Sequence, residues 1–343
     1  MSGKKAPETL ENKRFDLVGL LLEYNSYVIL VALIIASAIL SPYFFTKNNL
    51  CNLARQYSMY FLLTVGILFI IFTGSIDLSL GSTIGFGGIM YGVALENWGM
   101  NQMGVGGYLL SLLIALCAGA LVGAFNGVLV AKLNMMPFVA TLAVQIAFRG
   151  LTYIICAQIP IRLTTGTVAV DLGMSIAANS DPILKLPYLF WIVLVVILVF
   201  AWILKYTVYG RMCMATGSNA EAVRFAGINV AFYKFMPYVI GGVFAAAAGV
   251  ILACRAGVAT PQAGDGYECD AIAAGVIGGA SLDGGKGSVL RGVVGMCIIA
   301  LITNIMNLLA VASYPQKVVK GLIIIVAVLL LDFTNRRKAM KLR

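Results

Sequence analysis

The sequence contains no histidine. Imidazole metal sites and Ser-His or Cys-His nucleophile pairs are therefore excluded, and no metal or cofactor is expected. Charge is also scarce. Only 11% of the 343 residues are Asp, Glu, Lys or Arg, against about 25% in soluble domains. The seven cysteines, at 51, 117, 156, 213, 254, 269 and 297, form no CxxC pair, and several lie in apolar runs where Cys acts as a small hydrophobe. A disulfide between Cys254 and Cys269 stays open, since both could face outside. No cleavable leader is expected, because the first apolar run lacks a small-residue cleavage site.

What the chain has instead is apolar residues, at 61%, and 37 glycines. A soluble fold of this length cannot bury so large an excess, so it must face lipid. Glycine is frequent in membrane helices because small residues let backbones approach closely. The net charge of +10 would point to nucleic acid in a soluble protein. Here the basic residues gather at the ends and in one central loop, so membrane topology explains them and no nucleic-acid partner is expected.

A crossing needs about 20 mostly apolar residues. The runs at 25–44, 57–74, 78–95, 106–131, 136–157, 186–205, 233–253, 269–282, 289–312 and 316–333 predict an all-α integral membrane protein of about ten transmembrane helices. The third and eighth are short and Gly-rich, as broken or re-entrant helices are. Residues 1–24 form a polar arm, 25–333 a single transmembrane domain, and 334–343 a basic tail. Ten crossings place both termini on one side. Sixteen Lys and Arg fall on that side, seven on the other, and Arg149 within a span. The positive-inside rule then makes both termini cytoplasmic.

Four segments break the apolar background. GSIDLSLG (74–81) sets a carboxylate, Asp77, between two spans, where it either caps the third helix or meets substrate. Gly119, Gly123 and Gly127 share a helix face and predict close packing; Pro137 suits the first turn of the next helix. In the inside loop 206–232, Ser218 and Glu221 have capping-box spacing and Gly227 suits a helix end. That predicts a helix of about two turns with Ala222, Val223 and Ala226 near one face, too short to stand alone in water and suited to docking against a cytoplasmic partner or its own bundle.

The fourth segment, 267–288, carries Glu268 and Asp270 before a small-residue helix and a Gly-rich turn. Its i, i+2 carboxylates do not share a helix face, so paired acid/base work is not expected. Its run ending Gly285-Lys286 fails as a phosphate loop, since Ala280 stands where Gly is needed and Gly287 where Ser or Thr is needed. No nucleotide site follows. SIDLSLGS (75–82) and SLDGGKGS (281–288) echo each other. Arg149 lies roughly 18 Å along the fifth span at 1.5 Å per residue; it either meets a carboxylate or helix-end carbonyls, or lines a polar path.

Together, GSIDLSLG (74–81), FNG with NMMPFVATL (125–142), ATGSNAEAVRFAGI (215–228) and ECDAIAAGVIGGASLDGGKGSV (268–289) are specific. In order and spacing they resemble the membrane permease subunits of bacterial ABC importers for simple sugars, the ribose/galactose/xylose group. The resemblance covers nearly the whole chain. Glu221, Ala222 and Gly227 also match the permease coupling motif EAAxxxG, although Val223 replaces the second Ala and the later Ile-x-Leu-Pro element is missing.

The resemblance implies a permease in the bacterial plasma (inner) membrane that dimerises with a second copy, identical or different, around a translocation path. It implies an ATP-binding subunit docked on loop 206–232, with Gly217, Asn219, Glu221, Ala222, Arg224 and Gly227 as the coupling residues. A periplasmic or lipid-anchored sugar-binding protein would deliver the cargo. Asp77, Ser79, Asn126, Phe138, Thr141, Arg149 and Asp270 are the candidate path residues. Nucleosides or other small polar solutes are alternative cargoes. An ion-coupled secondary transporter is a separate alternative, whose usual signature is paired intramembrane carboxylates.

Overall fold

The computed structural model describes residues 25–181, 186–323 and 325–326. The N-terminal arm, the basic tail and the end of the tenth expected span lie outside the described residues. The rest is helical, apart from one two-stranded ribbon and a few turns.

The helices are α1 (Asn25–Leu40), α2 (Lys47–Phe72), α3 (Leu80–Gly92), α4 (Gly104–Gly127), α5 (Pro137–Ile155), α6 (Val168–Ala178), α7 (Tyr188–Tyr206), α8 (Val208–Ser218), α9 (Ala220–Phe225), α10 (Val230–Ala256), α11 (Tyr267–Ile277) and α12 (Val289–Leu308). Residues 313–323 form a further helix, α13. Short π-helical turns extend α3 through Val93–Asn97 and α4 through Val128–Lys132.

Six helical stretches are long and apolar enough to cross a membrane: Lys47–Phe72, Met100–Lys132, Pro137–Ile155, Tyr188–Tyr206, Val230–Ala256 and Val289–Leu308. All six match expected spans. The third span, α3 with its π turn, runs Leu80–Asn97, about 27 Å at 1.5 Å per residue, close to the hydrocarbon thickness. The eighth is broken. Its helix α11 has 11 residues, about 16 Å, after which residues 278–288 continue without helix. In this stretch Gly278, Ala280 and Gly284 are buried, while Gly279, Leu282, Asp283 and Lys286 are exposed.

The bundle is organised around α10 and α2. From Tyr57 to Phe72 all but one residue of α2 are buried, and α10 packs against α2, α3 and α4. The stripe Gly119, Gly123 and Gly127 explains the tightest of these contacts. A Cβ on Gly123 would run into the Tyr238 and Val239 backbone, and one on Gly127 into the Phe235 ring. By contrast α5 and α7 keep most of their surface outside the packed interior, as helices facing lipid do.

Two elements differ from the expected organisation. Helix α2 starts ten residues before its apolar run, because its first turns, with Lys47 and Arg55, project beyond the lipid-compatible segment. Helix α6 lies between the expected fifth and sixth spans. Both its flanks lie at one end of the bundle: Ile161–Arg162 pairs with Val258–Ala259, and Ser180 meets Arg55 at the start of α2. So α6 does not cross. Its buried face (Ala169, Val170, Ala177) joins Tyr91, Val250 and Cys254 in a satellite core.

Candidate functional site

The α2–α3 turn holds a closed polar node. Asp77 Oδ1 accepts from the Ser79 N–H at 2.8 Å and from Ser79 Oγ at 2.7 Å. Asn126 on α4 donates to Ser79 Oγ at 2.6 Å and lies 3.4 Å from Asp77 Oδ1. Thr141 on α5 accepts from the Leu78 N–H at 3.2 Å, and the Tyr238 hydroxyl on α10 donates to the Ile76 carbonyl at 3.3 Å. The physical need is plain. Buried N–H and hydroxyl groups in this turn have no water to pair with, and each left unpaired would cost several kcal/mol. Ser79 occupies the cap position, and Asp77 reaches it from two residues earlier.

Asp77, Ser79, Asn126 and Thr141 thus come together, and all have zero exposure. In this conformation they brace four helices rather than line an open passage. Asn126 Oδ1 is the one node atom left without a partner. Phe138 does not join them; its side chain is exposed on the outer face of α5.

Just over two helical turns along α5 from Thr141, Arg149 holds the loop 260–266. Its guanidinium donates to the carbonyls of Pro261 at 2.5 Å, Ala263 at 2.9 Å and Gly81 at 2.9 Å. These are chain carbonyls, so the fork is spent on holding backbone. Gln145, four residues earlier and hence on the same face, donates to Glu268 Oε1 at 3.1 Å. Gly81 and Gly85 on α3 make room for both side chains, since a Cβ on either would strike Glu268 or Arg149. Glu268 is buried, and sequence reasoning missed its pairing with Gln145; the polar i, i+4 pair on α5 was the available signal.

Asp270 forms an ion pair with Lys320 on α13 at 2.8 Å, beside a small cleft lined by Ile299, Ile302 and Ile323. Lys320 is 50 residues from Asp270 in sequence, and only the fold brings it to α11. Cys254 and Cys269 do not pair: Cys254 is buried against the Tyr91 hydroxyl at 3.5 Å, and Cys269 is exposed. A polar recess of about 550 Å³ opens at the start of α2, lined by Lys47, Asn52, Arg55 and Ser180 among others.

At the opposite end, the expected loop helix exists as two pieces. Ser218 closes α8 and is not the cap. Asn219, with extended backbone, accepts from the Ala222 N–H at 2.9 Å and starts α9. Gly227 adopts φ +77° beyond its end, as C′ positions do. Of α9 only Val223 is buried. Glu221, Ala222, Arg224 and Ala226 are exposed, and Phe225 is 89% exposed. Phe225 escaped the sequence reading, which sought an apolar face and not one projecting ring.

The fold and this geometry define a class: a multi-pass, all-helical membrane permease. Residues 49–328 match the family model described as branched-chain amino acid transport system / permease component, and the chain belongs to that family. It is 38% identical over 322 residues to the ribose import permease protein RbsC of Escherichia coli (strain K12), covering 94% of this chain and 97% of that one. The Bacillus subtilis (strain 168) protein of that name is also 38% identical, over 93% and 96% of the two chains. The galactose/methyl galactoside import permease protein MglC of E. coli (strain K12) is 33% identical, over 92% and 96%. No solved structure matches.

Proposed function

We propose that this chain is the membrane-spanning subunit of an ATP-driven importer for a simple sugar of the ribose type. The observation that carries this reading is the near full-length similarity to import permeases named for ribose and galactose. Physical features agree with it. The chain has no phosphate loop, which agrees with ATP hydrolysis on a separate subunit. Helix α9 presents Phe225 and Glu221 outward on a base of one buried residue, a shape suited to docking in a groove on that subunit.

The excess of Lys and Arg at the α9 end makes that end cytoplasmic, with both termini there and the bacterial plasma membrane as the location. The polar recess at the start of α2 then faces outside, where a sugar-binding protein delivers cargo. A second permease copy completes the path. Gln145 and Arg149 keep some exposure, unlike the sealed Asp77 node, so they are the candidate path groups that cargo could reach without the node opening.

The test is uptake of radiolabelled D-ribose into proteoliposomes holding this chain with its ATPase subunit and binding protein. Uptake that stops without ATP and survives a protonophore supports the reading. Uptake that stops with the protonophore while ATP persists supports ion coupling instead and overturns it. The cargo is read separately, from the ligand carried by the binding protein that co-purifies.

A further inference from the structure

Three glycines from three distant segments meet at the cytoplasmic end of the bundle. Gly74 follows α2, Gly217 lies in the last turn of α8, and Gly284 sits in the turn after the broken span. The Gly285 N–H donates to the Phe72 carbonyl at 3.0 Å. A Cβ built on Gly284 would lie 2.5 Å from the Gly74 nitrogen and 2.9 Å from the Gly217 Cα. One on Gly217 would lie 2.6 Å from the Gly285 nitrogen and would also strike the Phe72 carbonyl. No side chain separates the three backbones, so a shift of one is resisted by hard contact with the other two.

Each segment leads to a different part of the molecule. Gly217 is joined to α9 through Ser218 and Asn219. Gly74 is followed by Ser75, Ile76 and Asp77, and so by the polar node. Gly284 lies in the non-helical stretch 278–288 that continues from α11. The segment 281–288 is thereby placed against Gly74, the residue just before its echo at 75–82, with the Asp283 carbonyl 3.0 Å from a Cβ on Gly74.

We propose that this glycine clasp carries displacement of the α8–α9 unit to the α2–α3 turn and to the broken span, so that Gly74, Gly217 and Gly284 are positioning residues for transport. The inference rests on α9 being the ATPase dock. Within it, the close backbone approach replaces a flexible side-chain relay: movement of α8 cannot be absorbed by rotamer change and must be passed on. Gly217→Ala pushes the three backbones apart without touching Glu221 or Phe225.

The experiment compares Gly217→Ala with Gly150→Ala, whose added Cβ meets nothing within 4 Å, in proteoliposomes with the ATPase subunit and binding protein. The readout is D-ribose taken up per ATP hydrolysed. The expected result is that Gly217→Ala retains the ATPase subunit but loses about tenfold in this ratio, within the usual range of coupling between sites, while Gly150→Ala is unchanged. An unchanged ratio in Gly217→Ala overturns the inference. Hydrogen exchange on the wild-type complex decides the matter if Gly217→Ala does not fold. On ATP binding, peptides covering 70–76, 214–219 and 282–287 should change together. A change confined to 214–227 overturns the clasp and leaves the dock standing; no protection of 219–227 by the ATPase subunit removes the dock itself.

Discussion

Asn126 donates to Ser79 Oγ across 2.6 Å, and that bond ties α4 to the turn that opens α3. The same amide lies within hydrogen-bonding distance of Asp77, so one side chain from α4 serves both polar groups of the turn. Removing it takes the donor from Ser79 Oγ and from Asp77 Oδ2, while Asp77 Oδ1 keeps both bonds from Ser79.

Asn126→Ala is therefore expected to destabilise by about 1–3 kcal/mol, the usual cost of leaving a buried polar group unpaired. Asn126→Asp should be worse, because it sets a second carboxylate against Asp77. The apparent thermal midpoint of the detergent-purified protein checks both. A midpoint equal to wild type in Asn126→Ala would show that the node contributes nothing.

The Asp270–Lys320 pair fixes α13 to the start of α11. Its side chains are only 12% and 23% exposed, so loss of one partner costs more than a surface pair does. We expect about 1–3 kcal/mol for Lys320→Ala, below the 3–5 of a fully buried pair. The double variant Asp270→Asn with Lys320→Met should recover part of it. A double-mutant cycle with no coupling energy would rule out the pair as a fastener.

Arg149→Lys should free the loop 260–266. Lysine presents a point charge where the guanidinium spans three carbonyls. Faster hydrogen exchange and proteolysis in 260–266, with little change in the rest of the chain, is the expected result; unchanged exchange would contradict the holding role.

Glu221→Lys and Phe225→Asp alter exposed residues on α9, so membrane insertion and thermal midpoint should stay near wild type. Retention of the ATPase subunit through affinity purification should fall by roughly tenfold or more, as for interface anchors worth above ~1.4 kcal/mol. Full retention in both would relocate the dock.

Much of this was legible from the residues. Hydropathy located the crossings, because lipid demands long apolar runs and loops interrupt them. The Gly119–Gly123–Gly127 stripe announced a close helix contact and lacked only its partner, α10. The Gly-rich weakness of 269–282 marked a broken span. The misses have physical causes. Helix α6 is apolar but only 11 residues long, too short for a hydropathy window tuned to crossings. Ser218 fits a capping box as well as Asn219 fits a cap, and only the backbone bend at Asn219 decides between them. Lys320 with Asp270 and Gly217 with Gly284 are tertiary pairings that no local pattern encodes. Asp77 left two readings open; its contacts with Ser79 and Asn126 show the bracing role, and any contact with cargo would require the node to open.

The central claim is that this chain supplies a path and no power. It is tested by the initial rate of D-ribose uptake into proteoliposomes holding the chain alone, with the ATPase subunit, and with both ATPase subunit and binding protein. The account predicts ATP-dependent uptake in the complete assembly and none from the chain by itself. Concentrative uptake by the chain alone would contradict it.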